Sequence, residues 1–238
     1  MTTTSHTTPL LLPGQAAAVE GPVAMDVMYV MHHGFRRDLA AFAAAAHATP
    51  ASDRDTWRAL AERWAVFSKI LHHHHTGEDT GVWPYLMDRA DAAGREVLGA
   101  MEAEHEEIDP LLEACAAGFA VLSSRADEDA RAALAVRLVA ARESLSRHLH
   151  HEETEAIPLI QALMTPEDWE RIDAEYFKRG LTVRDFATLV PWAAHGLAPE
   201  HRERVFADAG TPFRVLWHLT RRRFEGKERA AFRYLLEV

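Results

Sequence analysis

The chain has 238 residues, 48% of them hydrophobic, and a formal net charge of -10. That length buries a sizeable core in one large domain, or in one domain with an appendage. The acidic balance argues against nucleic acid and anionic membrane as partners, since both select basic surfaces. The one cysteine, Cys115, excludes an internal disulfide framework and a cysteine-based metal site.

In chain order, residues 1–21 come first and are expected to be a flexible N-terminal segment. They carry no basic n-region and only three consecutive leucines, too little for a signal peptide. No stretch approaches the roughly 18 apolar residues needed to cross a bilayer, so a cytoplasmic protein is expected. From residue 22 to residue 165 apolar residues recur at steps of three and four, the pattern of helices that each bury one stripe. The first helix shows Met28, His32, Phe35, Leu39 and Phe42; the second Trp57, Leu60, Trp64, Phe67, Leu71, His74 and Glu78. The third shows Leu98, Met101, His105, Ile108, Leu112 and Cys115; the fourth Leu134, Leu138, Ala141, Leu145, His148 and Glu152. The breaks at Ala48 to Asp55, Asp88 to Arg95 and Ser123 to Asp129 are short, which predicts an all-α, up-down-up-down antiparallel four-helix bundle. Pro84 and Pro158 are expected to kink or end their helices, and Pro110 to kink the third.

Residues 166–238 are predicted to be a C-terminal helical extension packed on the bundle. Thr165 stands at a cap with Pro166 behind it, and three of the six tryptophans (Trp169, Trp192 and Trp217) lie in this region. The extension is open to three roles: capping the bundle, gating a site, or forming a homodimer. Arg221 to Arg223 read as a solvated helix face, and His195, His201 and His218 have no ligand spacing.

Within the bundle region the chain repeats itself. Leu71 to Leu86 aligns without a gap on Leu145 to Ile160, pairing His74 with His148, Glu78 with Glu152, Asp79 with Glu153 and Pro84 with Pro158. A lone histidine precedes each copy, His32 by 42 residues and His105 by 43, giving H…HxxxE…H…HxxxE. Each of these six residues stands where the helical pattern calls for a core hydrophobe. Buried carboxylates and imidazoles cost several kcal/mol unless partnered, so six on one level point to bound metal, two half-sites for a pair of ions. The i, i+4 spacing of HxxxE puts both side chains on one helix face. A set of nitrogen and carboxylate donors without thiolate suits non-haem iron better than zinc. Ferritin-type bundles use a different grammar, Glu-x-x-His.

Beside these six, His75 is open to a seventh bond to metal but is expected at the rim or behind the ligands, with His150 and His151 read in the same way. Tyr29 reads as a packed aromatic with a polar tip, and Cys115 as an inert core residue. Glu102, Glu104, Glu106 and Glu107 read mostly as a solvated face from which an imidazole can draw a carboxylate partner.

These residues, with "HHGFRRDL" on the first helix, resemble the hemerythrin-like or HHE cation-binding domain family, in particular bacterial members with an H-HxxxE-H-HxxxE arrangement. The resemblance implies an oxygen-linked di-iron centre bridged by Glu78 and Glu152, with His32, His74, His105 and His148 as terminal ligands. Oxygen-carrying hemerythrins have a His-x-x-x-His pair on the third helix, whereas here His105 is followed at the fourth position by Asp109. Fewer histidines favour reaction with a small oxidant or gas (hydrogen peroxide, nitric oxide or oxygen) over reversible oxygen carriage. The expected function is therefore a catalase- or peroxidase-like protective redox role, with a gas or iron sensor lacking turnover as the alternative.

Overall fold

The structure, a computed structural model, describes residues 8–235 and contains no β-strand among them. Four long helices form the bundle: α1 (Asp26–Ala48), α2 (Arg54–Gly77), α4 (Ala92–Ser124) and α5 (Glu128–His151). Side-chain caps set three of the starts. Asp53 accepts from the Thr56 amide, Asp91 from the Gly94 amide and Asp127 from the Ala130 amide. The helices run antiparallel in the predicted order, with α1 against α5, α5 against α4 and α4 against α2.

The prolines of the repeat do not end their helices. Past α2 the chain makes a π-helical turn, Glu78–Val82, and continues as α3 (Trp83–Met87). Past α5 it makes a second π turn, Glu152–Ala156, and continues as α6 (Ile157–Leu163). Pro84 and Pro158 each fall in the first turn of the continuing helix, where a missing amide proton costs little. The amides of Trp83 and Ile157 reach back five residues to the carbonyls of Glu78 and Glu152. Each wide turn thus begins on a carboxylate of the HxxxE motif and absorbs the backbone mismatch that the proline creates. α4 runs unbroken through Pro110.

Two apolar clusters stack along the bundle with a polar layer between them. One contains Phe35, Leu71, Ile108 and Leu149, the other Met28, Val82, Met101 and Ala156. α1 and α4 cross from one cluster to the other, as do α2 and α5 with the π turns and short helices that continue them, and each carries its histidines or glutamates at the crossing.

The C-terminal region folds as α7 (Pro166–Ile172), a π turn (Asp173–Lys178), α8 (Val183–Ala194), α9 (Pro199–Ala209) and α10 (Thr211–Ala231). Thr165 and Thr182 each start a helix with a capping box, through Asp168 and Asp185. α8 and α10 cover the side where α1 and α2 touch least, and Trp192, Phe224 and Phe232 join the larger bundle core. A buried ionic knot fastens them. Asp38 accepts from the Trp192 indole at 2.7 Å, from Arg63 at 2.6 Å and from Arg37 at 2.8 Å, while Arg63 also donates to Glu228 on α10.

The N-terminal segment is not loose where it is described. Leu10 and Leu12 are buried, and the Leu10 amide donates to Asp26 at 3.0 Å. Leu10 and Leu12 pin the arm to the apolar face, while Leu11 between them is exposed. Residues 1–7 of that segment lie outside the described residues. No helix among the described residues is long and apolar enough to cross a membrane.

The ionic knot yields a prediction. Replacing Asp38 by Ala leaves the Arg63 guanidinium buried beside Glu228 alone, which costs about 3–5 kcal/mol. Burial raises the Asp38 carboxyl, but Arg37 and Arg63 outweigh it and hold the group below its ordinary value. Its contribution is therefore complete above the ordinary carboxylate range and lost as pH falls through the depressed value. Urea unfolding near neutral pH measures the loss, and a cost under about 1 kcal/mol would show that the knot does not fasten the extension.

Candidate metal centre

The structure brings all six residues of the H…HxxxE repeat into the polar layer, each buried. They arrive from four elements: His32 from α1, His74 and Glu78 from α2 and its π turn, His105 from α4, and His148 and Glu152 from α5 and its π turn. They form two adjoining groups. In the first, His32, His74, Glu78 and Glu152 each offer one donor atom, all within 4.8 Å of one another; in the second, His75, His105 and His148 do the same. The two carboxylates of the first group also face the second. Glu78 approaches His74 Nε2 at 3.1 Å and His105 Nε2 at 3.7 Å. Glu152 approaches His32 Nε2 at 3.2 Å and His148 Nε2 at 3.8 Å. Each glutamate therefore faces one imidazole of either group.

Of the places that the sequence left open to His75, the structure excludes the rim. The residue is buried, its ring stacks on His105 at 3.9 Å between centroids, and neither ring nitrogen has a hydrogen-bond partner. The 100° step from His74 turns His75 toward the α2–α4 interface rather than toward solvent, since the buried stripe of a bundle helix is wider than one residue. In the other half of the repeat the corresponding residue is Leu149, so the two halves are unequal.

Outer carboxylates set the tautomers. Glu153 accepts from His32 Nδ1 at 2.9 Å, Asp79 from His105 Nδ1 at 2.8 Å and Glu104 from His148 Nδ1 at 2.9 Å. These acceptors place a proton on Nδ1 and turn each Nε2 toward the layer, where a bound cation would displace the further proton that His32 otherwise holds, the arrangement that orients metal-bound imidazoles. Asp79 and Glu153 are themselves partners in the repeat, each directly following an HxxxE glutamate; that spacing was the signal for their role. Glu104 comes from the acidic cluster on the third helix. Glu153 is fixed further by two hydrogen bonds from Arg36, at 2.7 and 2.9 Å, and by the Ala16 amide at 2.7 Å.

Such a layer suits a cation and little else. Both oxygens of Glu78 and of Glu152, Nε2 of His32 and of His74, and both nitrogens of His75 are buried without hydrogen-bond partners. The approaches of about 3.2 Å between glutamates and histidines are close but lack hydrogen-bond geometry. His105 Nε2 and His148 Nε2 lie 3.1 Å apart. With both protons on Nδ1, two lone pairs face each other there. Among protein groups alone the charges do not balance evenly. Burial, reinforced by neighbouring Glu152, pushes the Glu78 carboxyl well above its ordinary range. Burial also raises Glu152, but His32 outweighs it and holds that carboxyl low; His32 in turn, despite burial, is lifted to about 9 by Glu152 and Glu153. Burial pushes His74 and His75 well below the ordinary imidazole value, keeping them as the neutral rings that ligate metals.

Other expectations fall out simply. Tyr29 is buried, its hydroxyl accepting from the Val19 amide at 3.2 Å. Cys115 is fully buried, and burial pushes its thiol up to about 12. His150 is exposed, whereas His151 shares Glu104 with His148 at 2.8 Å.

Fold and layer together define a metal-binding helical module. Residues 23–160 match the Hemerythrin HHE cation binding domain, and the chain belongs to that family. No curated protein and no solved structure gives a significant match. The matched range ends within α6, so α7 to α10 lie beyond it.

The outer carboxylates make a prediction of their own. Glu153→Gln keeps the shape but weakens the acceptor for His32 Nδ1, and metal affinity is expected to fall about 10- to 100-fold. Competition against a chelator reads this directly. Unchanged affinity would mean that Glu153 only packs Arg36.

Proposed function

We propose that the chain is a non-haem di-iron protein that reacts with a small oxidant, hydrogen peroxide above all, in a protective role. The observation that carries this reading is the position of Glu78 and Glu152, each facing one histidine of both groups. That placement supports two bridging carboxylates between two metal positions, with His32 and His74 serving one and His105 and His148 the other. His75, with both nitrogens unpartnered, is assigned to the second position as a further ligand. A donor set of imidazoles and carboxylates without thiolate favours iron. When bound, a pair of iron ions would supply the electrons for breaking an O–O bond.

The protein's own part in this chemistry is positioning and exclusion. Asp79, Glu104 and Glu153 hold three imidazoles so that their Nε2 atoms converge, which removes reorientation from the reaction. The apolar clusters on either side exclude bulk water from the layer and strengthen each electrostatic contact inside it. Arg36 offsets the charge of buried Glu153. The bundle of residues 22–165 is the metal-binding unit in this account, and residues 166–238 an accessory to it.

A second reading, a gas- or iron-sensing module without turnover, is favoured by one observation. Trp192 of the extension lies 5.3 Å from Phe35, whose ring lies 5.1 Å from His74, so a change at the layer has a packed route into α8. Steady consumption of hydrogen peroxide separates the two readings. The enzyme reading expects many turnovers per chain, abolished in the Glu78→Ala, Glu152→Ala double variant. Turnover that survives in that variant would refute it, and stoichiometric ligation without turnover would favour the sensor.

A further inference from the structure

The extension does more than pack on the bundle. It seats three aromatic side chains against the helices that carry His32, His74 and Glu78, and each seat is a glycine. Gly34 follows His32 by two residues; a methyl group there would fall 2.7 Å from the Trp192 ring. Gly77 directly precedes Glu78, and a methyl there would fall 2.6 Å from Phe177. At Gly81, within the π turn that Glu78 begins, it would fall 2.6 Å from Tyr176. These approaches are closer than any side chain allows, so the aromatics rest on bare backbone. Phe177 lies 6.3 Å from the His74 ring, and its carbonyl accepts from His73 Nε2 at 2.8 Å. Trp192 is fully buried and anchored to Asp38.

The remaining flanks are not treated alike. Between α1 and α5 the N-terminal arm closes over Glu153 through Ala16, and that carboxylate is 0% exposed. Around α4 the equivalent groups reach solvent: Asp79 is 30% exposed, Glu104 31% and His151 32%. Three outer carboxylates do the same job for three ligand histidines, yet only those of His105 and His148 touch water.

We infer that Tyr176, Phe177 and Trp192 form an aromatic cap that closes the His32–His74 side of the centre, so that small molecules reach it over the Asp79–Glu104–His151 rim. The three are specificity-determining residues in this account: the cap withholds the layer from bulky reactants and the narrow rim admits small ones. The inference rests on the metal-centre reading above, but not on which oxidant is used.

The test uses the full chain loaded with ferrous iron. Release of iron to 2,2′-bipyridine is followed by absorbance, for the wild type and for Phe177→Ala and Gly81→Ala, whose added methyl displaces Tyr176. Opening the cap is expected to speed release about tenfold in each variant. Consumption of cumene hydroperoxide should rise relative to that of hydrogen peroxide. Phe177→Leu, which keeps an apolar contact while losing the ring, should fall between wild type and Phe177→Ala, and guards against a variant that merely unfolds. Iron-loaded variants that release metal no faster than the wild type would overturn the cap alone. A wild-type chain that holds no metal would overturn both the cap and the reading beneath it.

Discussion

Two carboxylates and five imidazoles share one dry level of this bundle, and the rest of the structure is arranged around that burden. Glu78 and Glu152 are fully buried with no hydrogen-bond donor on any of their four oxygens. A buried, unpartnered charge costs several kcal/mol, and the neighbouring imidazoles offset only part of it: His32, lifted to about 9, carries a proton beside Glu152, whereas burial keeps His74 neutral beside Glu78. A pair of bound cations would resolve the conflict, since the oxygens, the Nε2 atoms and the facing lone pairs of His105 and His148 would all serve as donors to them.

Several features that look unrelated follow from holding that layer in place. The π turns begin on the two glutamates and let both helices run past a proline, so that the carboxylates enter the layer from a locally widened backbone. The outer acids fix the rings. The N-terminal arm and Arg36 lock Glu153, and the ionic knot at Asp38 holds α8 and α10 over the α1–α2 side. The twofold repeat in sequence is thus a twofold frame in space, broken at His75 against Leu149 and by an extension that covers one side only.

Much of this was legible in the chain. The periodicity located all four bundle helices because each ligand candidate replaces a core hydrophobe in an otherwise unbroken stripe, and the cap at Thr165 marked the start of the extension. The six repeat residues do converge, because histidine and glutamate at i, i+4 share a helix face whatever the surrounding fold. His75 was left open because position on a helix gives an angle, not the neighbour waiting at that angle; only the packing of α4 against α2 turns it inward. Pro84 and Pro158 were expected to kink or end their helices; they do not end them, and the break in α-helical geometry beside each takes the form of a π turn, for which an α-helical rule has no place. The arm of residues 8–21 escaped notice because its anchors, Asp26 and Glu153, depend on tertiary contacts that no local pattern encodes. The glycine seats are invisible for the same reason: Gly34, Gly77 and Gly81 acquire meaning only when an aromatic from over ninety residues away lands on them.

The account stands on a pair of cations in the buried layer, and elemental mass spectrometry of protein made in iron-supplied cells without chelator tests that most directly. Two irons per chain are predicted, one for each of the two groups that Glu78 and Glu152 face. One metal or fewer per chain, or zinc in place of iron, would contradict it.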